Sequence, residues 1–436
     1  MNRIALVDCT NFYASCERSF DPTLWQRPVA VLSNNDGCVI ARSAAVKAAG
    51  VPMGAPYFKW QERLREMNAA VFSSNYELYG DMSRRVMGLL ANEALELAVY
   101  SIDEAFLVAP NLPDRRLHAW AKRVRRHIWR STGIPVRFGI GATKTLAKLA
   151  NHWAKREPDG VMLFPGGDAQ QHARKHLLMQ TPTKSVWGIG SAFAQRLAEH
   201  GVTTAWELQA CPVPWVRRTL GVTGARVALE LQGTACRPLD EQPTCRKSLV
   251  RSRSFGTRIS EKKALREALC TRVSRAAEKL RAEELTARGI RVFITTKRFG
   301  DGPHHRGAAG GCLPEHTAST LQLARAAGQL LDRIYRPGIG YKKAGVLLYD
   351  VRPMSEGHPR ALFTASGAPA SGTVREQHAD AALMDAMDTL NAQYGRGTVR
   401  LASSQTGEAP AWAMKRTRTS PRYTTQWADI PVAQTM

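Results

Sequence analysis

The stretch Tyr100-Ser101-Ile102-Asp103-Glu104-Ala105-Phe106 places two adjacent carboxylates inside an otherwise apolar run. Adjacent side chains of a strand point to opposite faces, so both acids can reach one point only if the chain turns or bulges there. Two acids held together repel each other unless a cation offsets their charge. The pair is therefore either part of a metal site or an exposed hairpin tip with solvated charges, and the stretch alone does not separate the two.

A third carboxylate, Asp8, follows an apolar run at residues 4–7 that predicts a buried strand, and a helix is predicted at residues 11–17. Carboxylate oxygens are the ligands that hard divalent cations prefer. Asp8 at a strand end therefore favours the metal-site interpretation of Asp103 and Glu104.

Hydrophobic patterns on both sides of the acidic pair predict further regular structure. We predict strands at residues 28–33 and 135–141 and helices at residues 83–97 and 117–132. With the strand before Asp8, the order strand, helix, strand, strand, helix, strand indicates a ferredoxin-like, split βαβ sheet. Residues 31–77 are then an insertion, and its small residues at 38–49 suit either close approach of a flat partner or simple helix packing.

A helix predicted from about Thr143 carries three lysines, Lys144, Lys148 and Lys155, on the face opposite its apolar side. Such lysines usually form a solvated face. Because this helix follows a sheet that carries three acids, contact of at least one lysine with a triphosphate is the alternative.

Residues 168–235 are predicted to form short helices with glycines near their starts. Turns of this kind direct helix N-terminal amides at a phosphate and grip a DNA backbone without reading bases. The candidate glycines are Gly188, Gly190, Gly221 and Gly224.

Residues 245–300 contain sixteen Lys and Arg against five Asp and Glu, a concentration typical of a module that binds a nucleic-acid backbone. Arg251 and Arg253 in its first predicted strand are candidate DNA contacts. A second α/β sheet domain is indicated by predicted strands at 248–254, 290–296 and 343–348 and helices at 261–283 and 317–333. Further on come a flexible linker at 366–372, a helix at 379–394 and a basic tail at 414–423, which is predicted to bind a partner or to be partly disordered.

The composition limits the function classes. The 436 residues suggest about three domains, and 61 Lys and Arg against 37 Asp and Glu give a net charge of +24, which favours a polyanionic partner. No run of about 18 apolar residues and no signal peptide are found, so we expect a cytoplasmic protein without a membrane partner. The eight cysteines form no C-x-x-C pair, which argues against a zinc site and a disulfide framework.

Taken together, these residues resemble the Y-family translesion DNA polymerases, and within them the UmuC-type catalytic subunits of DNA polymerase V. The similarity runs from about residue 4 to the C-terminus, where residues 420–425 resemble the UmuC tail. Its most specific motifs are residues 7–8, 11–17, 32–42, 73–79, 100–106 and 144–151.

The resemblance implies a multidomain α+β fold, a right-hand polymerase. Its parts would be a ferredoxin-like palm (1–30 and 78–167), small fingers (31–77), a helix-hairpin-helix thumb (168–235), an α/β little finger (245–353) and a C-terminal partner-binding extension (354–436). Implied partners are primed DNA, dNTPs, a UmuD′-like dimer, RecA and the sliding clamp. Clamp binding would use Leu362-Phe363, although the glutamine usual in that motif is missing.

The resemblance also implies site roles. Asp8, Asp103 and Glu104 would hold two Mg²⁺ ions, helped by the backbone carbonyl of Cys9. Tyr13 would be the steric gate under the sugar, where a ribose 2′-hydroxyl clashes; an ordinary core aromatic is the alternative. The remaining nucleotide-binding candidates are Phe12, Lys47, Arg42 and Lys155. Because Ala44 stands where many relatives have tyrosine, the phosphate site could use Arg42 or Tyr79 in place of Lys47.

The expected function is error-prone DNA synthesis past lesions in the SOS response, by two-metal nucleotidyl transfer. Two other classes stay open at this point. One is a catalytically silent DNA-binding subunit of a repair complex, and the other is a metal-dependent nuclease, since converging carboxylates also serve phosphodiester hydrolysis.

Overall fold

The computed structural model describes residues 3–166, 170–239, 246–296, 304–355, 374–404 and 412–432, with the backbone alone at 374–378. Its strands are β1 (Ile4–Cys9), β2 (Val29–Leu32), β3 (Val39–Arg42), β4 (Ala70–Ser73), β5 (Leu97–Val99), β6 (Glu104–Val108), β7 (Val136–Gly141), β8 (Val161–Leu163), β9 (Ser248–Ile259), β10 (Leu285–Thr295), β11 (Arg306–Thr317) and β12 (Tyr341–Pro353). Its helices are α1 (Phe12–Phe20), α2 (Ala44–Ala48), α3 (Tyr57–Glu66), α4 (Tyr76–Ala91), α5 (Asp114–Thr132), α6 (Lys144–Ala154), α7 (Gln171–Met179), α8 (Ser191–Ala198), α9 (Ala205–Ala210), α10 (Val213–Gln232), α11 (Lys262–Ala282), α12 (Thr320–Ile334) and α13 (Val374–Tyr394). None of the helices formed by the described residues is long and apolar enough to cross a membrane.

Two compact units make up the chain, Met1–Gln242 with Thr417–Met436, and Pro243–Arg416. The first is built on a sheet with the strand order β5-β6-β1-β7-β8. β1 pairs antiparallel with β6 and with β7, and β5 pairs antiparallel with β6. This is the ferredoxin-like order, extended by β8, which lies parallel to β7. The predicted α+β class and the split βαβ sheet are confirmed.

The insertion in the first unit has a small sheet of its own, ordered β3-β2-β4. Leu32, Val39 and Leu64 lie in its hydrophobic core. Part of the stretch 38–49, considered above for helix packing, is therefore strand β3, with the short helix α2 behind it.

Helices α7 to α10 pack around a separate cluster that also includes Leu146 and Leu149 of α6. The buried carboxylate of Glu230 in α10 accepts hydrogen bonds from the amide and hydroxyl of Thr145. The hydroxyl of Thr143, which caps α6, donates to the backbone carbonyl of Glu230 at 2.9 Å. These bonds fix the N-terminus of α6, and hence its lysines, against α10.

The second unit is an antiparallel sheet ordered β11-β10-β12-β9, with α11 and α12 packed on one face. Strand β11 is absent from the sequence-based expectation, which covers β9, β10 and β12. Helix α13 packs on the same unit, where Asp388 pairs with Arg281 at 2.6 Å and Met384 is buried. Trp412 is buried in the core of this unit.

Two further boundaries differ from the expectation. The helix predicted at 83–97 is α4, which begins at Tyr76 because the Asn75 side chain accepts a hydrogen bond from the Leu78 amide and caps it. The predicted extension 354–436 is divided, since Thr417–Met436 belongs to the first unit. Leu362-Phe363 and the linker 366–372 lie outside the described residues, and the finer six-part division stays a prediction.

Candidate active site

The acidic pair lies where the turn after β5 meets β6. The Ser101 hydroxyl donates to Asp103 Oδ1 at 2.7 Å and accepts from the Glu104 amide at 3.1 Å. Glu104 is the first residue of β6 and stands directly opposite Asp8 of β1. The Cys9 amide donates to the Asp103 carbonyl at 2.8 Å. The three acids therefore meet at one edge of the central sheet, and Cys9 adjoins them.

These carboxylates are half-buried and repel one another. Burial raises the pKa of Asp8 to about 6, with Glu104 and Asp103 adding to the rise and Arg137 opposing it. Lys148 lies 2.9 Å from Glu104, and Arg137 lies 3.7 Å from Asp8. Among the described residues, no group of three His, Cys, Asp or Glu side chains is arranged to hold a metal ion. The donor set nevertheless fits a hard cation, because three clustered carboxylates gain stability from a positive charge between them.

Arg137 is a site residue that the sequence reasoning missed. It stands directly opposite Asp8 in the pairing of β1 with β7. Burial lowers its pKa, and Asp8 raises it. The available signal was a charged side chain inside the otherwise apolar strand at 135–141.

The cations predicted to bind phosphate interact electrostatically with Asp8 or with one another. Burial lowers the pKa of Lys47, and Arg42, Arg137 and Lys155 lower it further, while Asp8 raises it. Lys47 donates to the side-chain oxygen of Asn11. Lys47 and Lys155 are exposed, whereas Arg42 is partly buried and donates to the Val51 carbonyl. A cluster of like charges beside an acidic edge is suited to receive an anion.

The three lysines considered for a triphosphate contact have separate surroundings. Lys144 donates to the Leu239 carbonyl at 2.9 Å. Lys148 is bound to Glu104 and lies over the Tyr100 ring, 4.3 Å from its centroid. Lys155 at the end of α6 is the one whose charge acts on Asp8. Of the three, Lys155 is the exposed lysine that acts on Asp8, and its contact with a phosphate stays a prediction.

Tyr13 is half-buried near the acids and stacks on Tyr79, with ring centroids 4.3 Å apart and planes at 14°. Tyr76 meets the Tyr13 ring edge-on at 6.1 Å. Tyr79 is fully buried and donates to Glu17 at 2.6 Å, so the alternative that it binds phosphate is wrong. Phe12 is 4 % exposed and packs in the core, which leaves only its backbone to face a nucleotide.

Glu17 is a buried acid on α1 that the sequence reasoning did not single out. It is 1 % exposed, and burial raises its pKa to about 7, although hydrogen bonds from Tyr79 and Ser420 lower it. The titratable groups near it are Cys16, Tyr79 and Tyr423, and their own pKa values are raised, so they stay neutral. Glu17 therefore changes charge near neutral pH while its surroundings do not.

The pH dependence of stability is expected to differ between the natural protein and Glu17→Gln. The folded chain holds the Glu17 proton more tightly than the unfolded chain, so its contribution is fully present below about pH 4.5 and is lost as pH rises through 7. The natural protein is expected to lose up to about 3 kcal/mol relative to the variant across that interval. Denaturant unfolding at about pH 5 and about pH 8.5 measures this, with exposed Glu62→Gln as control. Parallel pH curves for all three proteins contradict the expectation.

Of the four glycines proposed for backbone binding, Gly188, Gly190 and Gly221 lie at a turn, a helix start and a helix kink of the first unit, and Gly224 lies within a helix. Gly190 is the N-cap of α8, and Gly188 before it has a φ of 93°. Gly221 has a φ of 76° and kinks α10, so a second helical segment starts behind it. Gly224 is buried, and a Cβ there would lie 2.3 Å from Leu220, so its role is close packing. DNA contact by these turns stays a prediction.

Arg251 and Arg253 lie opposite Val346 and Ala344 in the pairing of β9 with β12. Because Val346 and Ala344 are core residues, both arginines are on the face that the helices cover. Burial lowers the pKa of Arg253, with Arg416 adding to the effect. The opposite, uncovered face carries other cations, among them Arg291 and Lys343, and Lys343 lies over the Phe293 ring. The sequence reasoning missed these two cations.

Comparison with known proteins matches two segments of the chain to one family. Residues 7–152 match the impB/mucB/samB family and residues 246–360 match its C-terminal domain, while residues 381–433 match a domain of unknown function. The chain is 41% identical to the protein UmuC of Salmonella typhimurium, over 98% of this chain and 99% of that protein. It is 39% identical to the protein SamB of Salmonella typhimurium, over 99% of each.

Solved structures share the fold at low sequence identity. A Y-family DNA polymerase chimera of Dbh and Dpo4 has a TM-score of 0.63 at 21% identity, over 80% of this chain and 99% of that chain. An insertion ternary complex of Dbh DNA polymerase has a TM-score of 0.52 at 20% identity, over 80% and 99% respectively. These likenesses concern the fold.

Proposed function

The chain belongs to the impB/mucB/samB family, the UmuC-type branch of the Y-family DNA polymerases, and we propose that it is an error-prone, template-directed DNA polymerase for translesion synthesis in the SOS response. The observation that carries the proposal is the register of β1 and β6, which sets Asp8 opposite Glu104 with Asp103 in the adjoining turn. The acids share this edge of the sheet with Tyr13 and exposed cations. A nuclease needs the acids but not the ring or the cations.

Asp8, Asp103 and Glu104 are proposed to hold two Mg²⁺ ions, with the Cys9 backbone carbonyl as a further ligand. When bound, the ions activate the primer 3′-hydroxyl and neutralise the triphosphate and the leaving pyrophosphate. Ser101 orients Asp103 through its hydroxyl. Lys148 balances part of the charge of Glu104 through their ion pair of 2.9 Å.

The nucleotide is proposed to lie with its sugar on Tyr13 and its phosphates toward Lys155, Lys47 and Arg42. Tyr79 supports the Tyr13 ring from behind, so the ring cannot retreat from a ribose 2′-hydroxyl. The small residues of β3 and α2 leave room at the nascent base pair, which lowers the number of contacts that separate right from wrong pairs. Lesion tolerance and low fidelity both follow from this open space at the nascent base pair.

DNA binding is proposed to be mainly electrostatic, in keeping with the net charge of +24. Gly188, Gly190 and Gly221 are proposed to present backbone amides of the thumb to phosphates, and Gly224 packs the helical segment that follows Gly221. In the second unit, we place the contact at the uncovered face with Arg291 and Lys343, while Arg251 and Arg253 support it from the covered side.

Further partners are part of the proposal: a UmuD′-like dimer, RecA and, through Leu362-Phe363, the sliding clamp. The place of action is the cytoplasm, at the nucleoid during the SOS response. These assignments rest on family membership and on the net charge of +24, which suits a nucleoprotein partner.

The test is primer extension past an abasic site, with Mg²⁺ and dNTPs, with and without UmuD′ and a RecA filament. Extension that requires Mg²⁺ and increases with the partners is the expected result. Shortening of the primer without dNTP incorporation identifies a nuclease. DNA binding without either reaction, even on undamaged template with all partners present, identifies a silent subunit.

A further inference from the structure

The tail that follows the second unit returns to the first unit. Thr417 donates through its amide to Asp36 at 3.2 Å. Ser73 then makes two hydrogen bonds with the Arg418 backbone. The Ser73 amide donates to the Arg418 carbonyl at 2.9 Å, and the Ser73 hydroxyl accepts from the Arg418 amide at 3.1 Å. We call residues 417–423 the strap. It is part of the basic tail at 414–423, and these contacts lie within its own chain, while partner binding by the tail stays a prediction.

Ser420 is the buried centre of the strap, with 4 % exposure. The Asn75 side-chain amide donates to its hydroxyl at 3.0 Å and to the Pro421 carbonyl at 3.3 Å. Asn75 also caps α4. The Ser420 hydroxyl also interacts with the Glu17 carboxylate of α1 and lowers its pKa. One hydroxyl therefore joins the start of α4 to the middle of α1.

The strap holds α1 at a second point. The Tyr423 ring stacks on Phe20, the last residue of α1, with centroids 4.9 Å apart and planes at 3°. Both contacts fall on the helix that carries Tyr13 in its first turn. The orientation of α1 relative to α4 is therefore constrained from the strap.

A chain of contacts leads from Ser420 to the steric-gate candidate. Ser420 interacts with Glu17, Glu17 accepts a hydrogen bond from Tyr79 at 2.6 Å, and the Tyr79 ring stacks on Tyr13 at 4.3 Å. Its members are buried or half-buried, and polar links of this kind are stronger away from water. Removing the Ser420 hydroxyl deprives the carboxylate of one polar contact and loosens the support of the Tyr79 ring.

We propose that the strap is a positioning element that sets the height of the Tyr13 ring under the incoming sugar, through Ser420, Glu17 and Tyr79. The proposal rests on the steric-gate role given to Tyr13 above. It assigns a role in sugar selection to the end of the segment that matches a domain of unknown function. A strap that only stabilises the fold would lower the melting temperature without changing the choice of sugar.

The experiment compares Ser420→Ala with Ser404→Ala in the full-length protein, by single-nucleotide incorporation on undamaged primed DNA. Ser404 is a matched control because it is also buried, at 5 %, but its hydroxyl donates to the Leu401 carbonyl three residues earlier. In Ser420→Ala, the ratio of kcat/KM for dNTP to that for rNTP is expected to fall about tenfold, chiefly through the KM values, because a buried polar contact that supports Tyr79 is lost. Ser404→Ala is expected to keep the ratio.

A ratio within twofold of the natural value in Ser420→Ala overturns the strap proposal. Tyr423→Leu provides a second variant at the half-buried end of the strap, with a fall in the ratio expected if the stack on Phe20 positions α1. Tyr13→Ala in the same assay distinguishes failure of the strap proposal from failure of the steric-gate proposal on which it rests. If the ratio falls in Tyr13→Ala but not in the strap variants, only the proposed role of the strap is overturned. If the ratio is unchanged in Tyr13→Ala, the proposed roles of the steric gate and of the strap are both overturned.

Discussion

Replacement of Asp103 by Asn is expected to slow primer extension by about a thousandfold or more while leaving DNA binding intact. Asp103 lies in the turn that joins β5 to β6, with its carbonyl bound to the Cys9 amide and its carboxylate bound to Ser101. An amide of equal size keeps the turn but removes one of three negative ligands. The loss of about 4 kcal/mol of charge stabilisation corresponds to that factor. Single-turnover extension and fluorescence anisotropy of primed DNA measure the two quantities.

Asp81→Asn is a suitable control for this prediction. Asp81 is a shielded acid on α4, but its carboxylate is held by Arg84 and Arg85 of the same helix. Its replacement is expected to leave extension unchanged. Retained extension in Asp103→Asn would remove the acid from the metal site and return the stretch 100–106 to a solvated hairpin tip.

The central sheet could be predicted because its information is local. Residues 4–7 and 135–141 are short apolar runs bounded by turn residues, and the helices between them have clear amphipathic spacing. Given four strands and two helices in this order, short connections leave few possible topologies. The antiparallel pairing of β1 with β6 and β7 is the outcome.

Strand β11 could not be predicted by the same reasoning. It contains Gly307, Gly310, Gly311 and Pro314, which are typical of loops. The strand exists because its backbone pairs with β10 along a continuous register from Thr295 to Gly289. Pairing of this kind is decided by the neighbouring strand, so a single segment carries little sign of it.

The candidate site also has a part that is visible in one stretch of sequence and a part that depends on contacts between distant residues. Asp103 and Glu104 are adjacent in the sequence, and the motif that contains them is visible in one stretch. The bond between Tyr79 and Glu17 spans 62 positions, and that between Asn75 and Ser420 spans 345. A buried glutamate in a helix looks like a surface residue until its partners are known. The sequence alone therefore allows phosphate binding by Tyr79, whereas in the structure its hydroxyl is buried and donates to Glu17.

Replacement of Tyr13 by Ala is expected to lower discrimination between dNTPs and rNTPs by about a hundredfold, which corresponds to about 3 kcal/mol. The ring is half-buried and lies flat on Tyr79, which is itself fixed by Glu17, so it has nowhere to move when a 2′-hydroxyl meets it. Alanine opens that space without touching the acids. Measurement of kcat/KM for matched dNTP and rNTP on one primer-template gives the ratio directly.

Tyr13→Phe is the control, because it keeps the ring and removes only the hydroxyl. A gate that works by the bulk of the ring predicts unchanged discrimination in Tyr13→Phe, together with unchanged dNTP incorporation. Equal losses in both variants would instead assign the selection to the hydroxyl. If Tyr13→Ala keeps full discrimination, Tyr13 is the ordinary core aromatic of the alternative interpretation, and its stack on Tyr79 serves only packing. The ratio measured for the two variants therefore shows whether Tyr13 selects the sugar by the bulk of its ring, selects it by its hydroxyl, or serves only packing.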